Sequence, residues 1–212
     1  AQESSCHADT PLTGKAAAAT ISPLADKANW MRPLADAMAA CDIVLPGTHD
    51  SGAQHGGALL QTQDLDIPTQ LEAGVRAFDI RLREHKGQLG LYHSHAFQHV
   101  YWESDVLPAL VNFLKQNPSE FLVVSLKCEG GEAADYRRLL SQSLSQETYS
   151  PYFLTNWTVH LTLAECRGRI LFLHRDEVME HYPGVRCEGW ADNATSLLTL
   201  RTAQGNTTQV LL

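Results

Sequence analysis

The 212-residue chain has 44% hydrophobic residues, 19% charged residues and a formal charge of −8, the composition of an ordinary globular protein rather than a disordered or fibrous one. The acidic balance, with no basic stripe, argues against a nucleic-acid partner and against electrostatic attachment to an anionic membrane. No stretch approaches the roughly 18–20 continuous apolar residues that a membrane-spanning helix needs, and the five cysteines lack zinc-finger spacing.

Residues 1–28 mix Ser, Thr, Pro and an alanine run without an apolar face, and read as an N-terminal arm. Its first residues, Ala1-Gln2-Glu3-Ser4-Ser5, lack an initiator Met and suggest a processed, exported form. One or two disulfides are expected among Cys6, Cys41, Cys128, Cys166 and Cys187, with one thiol left over. Asn156, Asn193 and Asn206 each begin an Asn-x-Thr sequon, so the expected location is secreted, extracellular or periplasmic.

A single domain is expected over residues 29–212. A short helix over Pro33–Met38 leads to a first strand at Ile43-Val44-Leu45, which ends at Pro46-Gly47 and delivers His49 and Asp50 to a strand mouth. A loop over residues 52–57 precedes a short helix from Ile67, stopped by Gly74. Next comes a strand, Val75 to Arg81, whose period of two sets Val75, Ala77, Asp79 and Arg81 on one face. Leu89 to His93 is a third strand. Val106, Leu107, Leu110, Val111 and Leu114 recur at helical spacing, and Phe121 to Lys127 reads as a buried fourth strand. Tyr136, Leu139, Leu140 and Leu144 mark another helix, and Ile170 to Arg175 is a fifth strand. The tail from Trp190 suggests at most one short strand.

Helices alternating with strands that end on polar residues imply an α/β sheet or barrel with its site at the strand C-termini. Two histidines at separate strand ends and an arginine suit cleavage of a phosphodiester. One imidazole deprotonates the nucleophile, the other protonates the leaving oxygen, and a guanidinium neutralises the phosphate. His49, His93 and Arg81 fit those parts, with Asp50 and Asp79 to orient the imidazoles. Plainer readings stand beside this one. His49 can be a loop residue, Asp79 and Arg81 a structural ion pair, and Lys127 and Arg175 solvated charges. His55, His85, His174 and His181 read as surface or loop histidines. His93 and His95, two residues apart, with His99 nearby, allow a metal-assisted phosphodiesterase as a minority alternative.

Five motifs in order resemble the X domain of phosphatidylinositol-specific phospholipase C. They are Leu45-Pro46-Gly47-Thr48-His49-Asp50-Ser51, Gln70-Leu71 with Gly74-Val75-Arg76-Ala77-Phe78-Asp79-Ile80-Arg81, Leu91-Tyr92-His93, Phe113-Leu114-Lys115-Gln116-Asn117-Pro118-Ser119-Glu120 leading to Ser125-Leu126-Lys127, and Arg167-Gly168-Arg169-Ile170-Leu171. The resemblance implies a distorted or incomplete TIM (β/α) barrel that cleaves phosphatidylinositol, or its glycosylated form, to diacylglycerol and a 1,2-cyclic inositol phosphate. Its partners would be a phospholipid with an inositol headgroup and, transiently, a membrane surface.

Carried over residue by residue, His49 resembles the general base and His93 the general acid, with Asp50 assisting and Asp79 supporting the acid. Arg81 would bind the phosphate. Lys127, Arg175, Trp190 and Asp192 match positions at the inositol pocket. Calcium-dependent members carry Asn after the first histidine and a Glu-x-Asp pair on the second strand; Asp50 and Asp79-Ile80-Arg81 stand here instead. The metal-independent bacterial type is therefore expected, with no metal or cofactor. A late-strand aspartate that orients the base in the family has no match in this chain, nor do the family's last strands. The alternative from another class is a non-catalytic X domain that binds inositol phosphate or a membrane.

Overall fold

The computed structural model describes residues 26–176, 181–191, 195 and 197–211. Its strands are β1 (Gly47–Thr48), β2 (Ala77–His85), β3 (Gln88–His93), β4 (Ala96–Tyr101), β5 (Leu122–Cys128), β6 (Ile170–His174), β7 (Val185–Glu188), β8 (Leu197–Thr202) and β9 (Thr207–Leu211). The α-helices are α1 (Ile67–Glu72), α2 (Leu107–Gln116), α3 (Ala133–Leu144) and α4 (Leu163–Cys166). One sheet runs in the order β4-β3-β2-β5-β6-β7-β8-β9, with β1 beside β2. Five neighbouring strands, β1, β2, β5, β6 and β7, are parallel, and antiparallel pairs extend the sheet at both ends. The fold is a distorted α/β barrel of TIM type, open because β9 does not pair with β1 among the described residues.

Strand alternation sorts the sheet into a greasy face and a polar one. Phe78, Ile80 and Leu82 of β2 and Leu122, Val124 and Leu126 of β5 are buried against Leu110, Val111 and Leu114 of α2 and Tyr136, Leu139 and Leu140 of α3. Each such side chain contributes about 1.5–3 kcal/mol by leaving water. The intervening residues turn the other way, and the register sets Asp79 beside Ser125 and Arg81 beside Lys127. The hydrophobic core thereby fixes the positions of the polar groups on the opposite face.

A second anchor lies at the foot of the barrel, where Arg76 and Glu120, both fully buried, pair through Nε and Oε2 at 2.9 Å. Arg76 also donates to the carbonyls of Leu71, Val75, Lys27 and Ala28, and its guanidinium lies 4.6 Å from the Phe113 ring. Burial lowers its pKa against the pull of Glu120. The chain at 27–28 is thereby tied to the barrel rather than standing off as an arm.

Several expectations are corrected. Ile43-Val44-Leu45 is not a strand: Val44 is 91% exposed, while Ile43 and Leu45 pack on a lower cluster around Met31, Phe121 and Leu163. Pairing begins only at Gly47, because Pro46 has no N–H to offer a ladder and its carbonyl instead accepts from Arg76 and Ala77. Residues 33–38 form turns, not a helix. β4 was not foreseen; a register shift and His99 at φ 58° break its alternation. The tail forms the β8–β9 hairpin, closed by Gly205 at φ 85°. Cys128, Cys166 and Cys187 are free thiols, which rules out two disulfides. His174 is no surface residue but fully buried on β6, and His85 stacks on Phe97 with ring centroids 4.1 Å apart.

Candidate active site

The segment after β1 is held by main-chain and amide contacts that leave two side chains projecting. Gln70, buried on α1, donates through Nε2 to the carbonyls of Ser51 and Leu65, and its Oε1 lies 2.8 Å from Thr48 Oγ1. Ser51 bonds to both backbone groups of Asp79: its N–H donates to the Asp79 carbonyl at 2.9 Å, and its Oγ accepts from the Asp79 N–H at 2.8 Å. Between these fixed points Asp50 takes φ 44°, a left-handed conformation unusual for a non-glycine residue. The turn buries the Asp50 carboxylate under the mouth and leaves the His49 side chain 68% exposed above it.

Asp50 sits between two imidazoles. Its Oδ2 lies 3.1 Å from His49 Nε2 and 3.3 Å from His93 Nε2, and its Oδ1 is 2.5 Å from Arg81 Nε. His93, at the end of β3, has its Nδ1 2.7 Å from the carbonyl of Leu60. A carbonyl only accepts, so Nδ1 carries a proton, and the exchangeable position of His93 is the Nε2 that faces Asp50. Asp79 Oδ2 lies 3.1 Å from His49 Nδ1 and 3.3 Å from Arg81 Nη2. Arg81 Nη1 approaches Glu129 at 3.7 Å, and Glu129 also accepts from the Ser94 N–H and pairs with Lys127 at 3.5 Å.

Burial, aided by the Asp79 charge and opposed by Arg81 and the two imidazoles, raises the Asp50 carboxyl above its usual pKa. For Arg81, burial works downward, but Asp79, Asp50 and Glu129 together raise the guanidinium pKa. Arg81 is therefore a permanent cation held among three carboxylates.

A cavity of about 400 Å³ opens beside this cluster, walled by His49, Asp79, Arg81, Ser125, Arg175 and Trp190. Arg175 lies 4.6 Å from the Trp190 ring and 3.8 Å from Asp79 Oδ1. Six of the eight buried side-chain polar atoms without an aligned hydrogen bond among the described residues belong here: both oxygens of Asp50, Asp79 Oδ1, Arg81 Nε, Ser125 Oγ and Glu129 Oε2. Five of the six lie in ion-pair range of an imidazole, guanidinium, ammonium or carboxylate, so the mouth carries a dense set of charged groups that a polar ligand can engage.

Of the residues singled out from sequence, His49, Asp50, Asp79, Arg81 and His93 come together directly, and Lys127, Arg175 and Trp190 surround them. Asp192 lies outside the described residues. The support expected of Asp79 for His93 is not what the geometry offers, since its carboxylate reaches His49 instead. Asp79 and Arg81 do form the plain ion pair foreseen as an alternative, within the larger cluster. The His93/His95 metal pair does not assemble: Ser94 and His95 form the exposed β3–β4 turn, so the two rings share no strand face. Among the described residues, the one group with ligand atoms close enough for a metal ion is His49, Asp50 and Asp79, where Arg81 already supplies the positive charge. Sequence reading missed Glu129 and the Leu60 carbonyl, and gave no role to Gln70 and Ser125 although both stand within the matched motifs. Glu129 has a visible signal, two residues beyond Lys127 at the end of β5; a main-chain acceptor has none.

The family profile described as "Phosphatidylinositol-specific phospholipase C, X domain" matches residues 50–176. A 1-phosphatidylinositol phosphodiesterase of Listeria monocytogenes is 35% identical over 158 residues, 68% of this chain and 47% of that protein. One of Staphylococcus aureus is 29% identical over 182 residues, covering 79% of this chain and 58% of that protein. A solved structure of the phosphatidylinositol-specific phospholipase C of S. aureus superposes with a TM-score of 0.71 at 26% identity, over 83% of this chain and 63% of that one. The chain spans about half the length of the curated relatives it matches.

Proposed function

The chain belongs to the phosphatidylinositol-specific phospholipase C X-domain family, and from that premise we propose that it cleaves phosphatidylinositol, or its glycosylated form, to diacylglycerol and 1,2-cyclic inositol phosphate. The inositol 2-hydroxyl attacks phosphorus while His49 takes its proton. The bond from phosphorus to the diacylglycerol oxygen breaks, and His93 Nε2 gives that oxygen a proton. The nucleophile belongs to the substrate, so no protein nucleophile is required. Arg81 neutralises the charge that grows on the non-bridging oxygens. Asp50 Oδ2, 3.3 Å from His93 Nε2, orients that ring toward the mouth. Arg175 and Trp190 wall a cavity large enough for the inositol ring, and Lys127 stands in register beside Arg81.

The observation that carries this reading is the arrangement of two imidazoles, both with Nε2 toward Asp50 Oδ2, and a guanidinium on the other oxygen of the same carboxylate. The curated relatives are named for the same substrate. Contact with a membrane surface is part of the proposal, since the substrate is a lipid, and so is a location outside the cytoplasm; the exposed Asn156 and Asn206 sequons support the latter.

Phosphorus NMR of phosphatidylinositol micelles incubated with the protein tests the reading. The cyclic phosphodiester appears, a metal chelator leaves its rate unchanged, and His49→Ala abolishes it without unfolding the chain. A monoester as the first product, loss of activity to the chelator, or no product from the unmodified chain overturns it.

A further inference from the structure

We propose that Gln70 is a positioning residue for both histidines of the mouth: its buried side-chain amide clamps the His49–Asp50 turn and, through Leu65, ties to it the connection whose carbonyl holds His93. The inference rests on the roles proposed above for His49 and His93.

The turn needs a clamp. Asp50 stands at φ 44°, a conformation that a non-glycine residue keeps only where its surroundings over-determine it. The residues on either side of the His49–Asp50 pair supply the grip, and counting protons fixes its direction. Gln70 Nε2 donates to the carbonyls of Ser51 and Leu65 at 2.8 and 2.7 Å, so Oε1 is the end that faces Thr48 Oγ1 at 2.8 Å. An amide oxygen only accepts, and the one hydroxyl proton of Thr48 goes to it. Ser51 Oγ, 2.8 Å from Thr48 Oγ1 and 3.1 Å from the Thr48 carbonyl, therefore donates its own proton to Thr48 and accepts the Asp79 N–H at 2.8 Å. The bonds run one way, from the backbone of β2 through Ser51 and Thr48 to Gln70. Flipping the amide would set its oxygen against two carbonyls, so its orientation is locked.

Gln70 can serve as a fixed point because it is 2% exposed and stands on α1, whose first turn is capped where the Asp66 carboxylate accepts the Thr69 N–H at 2.8 Å. Its bond to Leu65 extends the clamp to the connection that crosses the mouth. In that connection Gln63 Nε2 donates to the His49 carbonyl at 2.7 Å and Thr62 Oγ1 to the Asp50 carbonyl at 3.1 Å. The Leu60 carbonyl, in the same connection, faces His93 Nδ1 at 2.7 Å. One amide thus sits where the supports of both rings meet. It touches neither ring, and it acts by setting the spacing of two imidazoles that must reach the attacking and leaving oxygens of one phosphorus together.

Gln70→Met, similar in length but without hydrogen-bonding groups, and the pair Thr48→Val and Thr48→Ser test the assignment in the whole chain. Rates are normalised to the folded fraction from urea unfolding, so lost stability alone leaves kcat unchanged. With phosphatidylinositol micelles, Gln70→Met lowers kcat on the order of 10²-fold, the cost of a misplacement of about 1 Å, while KM changes little. Thr48→Val loses less, and Thr48→Ser, which keeps the hydroxyl, recovers most of that loss. In nitrogen-15 NMR without substrate, Gln70→Met shifts the ring signals of both His49 and His93 and leaves those of His174, buried on β6, in place. Should Gln70→Met fail to fold, the Thr48 pair carries both readouts. A kcat unchanged per folded molecule, a loss confined to KM, a Thr48→Ser no better than Thr48→Val, or ring signals of His49 and His93 that do not move together overturns the assignment. The NMR readout needs no turnover, so an inactive unmodified chain would count against the proposed reaction and leave the Gln70 clamp to be judged by the ring signals.

Discussion

Arg81→Lys keeps the charge at the centre of the mouth and removes its shape. The guanidinium places Nε toward Asp50, Nη2 toward Asp79 and Nη1 toward Glu129, at 2.5, 3.3 and 3.7 Å. An ammonium on a flexible stem follows one of these carboxylates at a time and grips a phosphate through a single point instead of a fork. Counting one phosphate bond lost outright and one weakened by lost alignment, at about 1.5–3 kcal/mol for a full charge-assisted bond, transition-state stabilisation falls by about 2–4 kcal/mol. That is a drop of about 30- to 10³-fold in kcat/KM. Initial rates of cyclic phosphate formation over a range of phosphatidylinositol concentrations, paired with urea unfolding of each variant, measure it. Activity within about threefold of the unmodified chain, at matched fold stability, would refute the idea that Arg81 works through its fork rather than its charge.

His174 makes stability depend on pH. Complete burial, only partly offset by its bond to the Pro183 carbonyl, lowers its pKa from 6.5 to about 4. As pH falls through 6.5 the unfolded chain takes up this proton and the folded chain does not. Stability therefore drops progressively between about pH 6.5 and 4, by about 3 kcal/mol in all, and is insensitive to this group above 6.5. Urea midpoints measured for the parent and His174→Gln at pH 7 and pH 4.5 check this: the variant has the flatter profile, and equal slopes would count against it. At the foot of the barrel, Glu120→Gln leaves Arg76 charged and buried without its partner and lowers unfolding free energy by about 3–5 kcal/mol. The double variant Arg76→Met/Glu120→Gln does not recover the loss, because Met also abandons the carbonyls of Leu71, Val75, Lys27 and Ala28; recovery in urea titrations would show that the ion pair, not those carbonyls, holds the site together.

The strands that carry the site were legible because their alternation is strict. Phe78, Ile80 and Leu82 against Asp79 and Arg81 could be read from the letters alone, and so could the helical spacing of Leu107, Leu110, Val111 and Leu114. Ile43-Val44-Leu45 misled because hydrophobicity reports burial, and two of its three side chains are tucked into a lower cluster without any ladder of hydrogen bonds. β4 escaped notice because a register shift interrupts its period of two. The identity of the chemical groups was similarly readable, whereas their pairing was not. Asp79 was matched to the acid through the family resemblance, but it meets the base, because β1 lies directly against β2 there with Thr48 beside Phe78. Such a neighbour relation depends on three-dimensional register and leaves no trace in spacing.

The two histidines differ in how readily mutation can alter their support. The groups that flank His49 are side chains, so single-codon changes can sever or exchange them. His93 Nδ1 instead leans on the carbonyl of Leu60, an atom that every residue type possesses. No substitution at position 60 deletes that acceptor, and an alignment column there says nothing of its importance. Only a change in the length or path of the 52–62 connection can move it, and that path is itself held by Gly52 and Gly56, where an added Cβ would crowd Leu91 and Leu60.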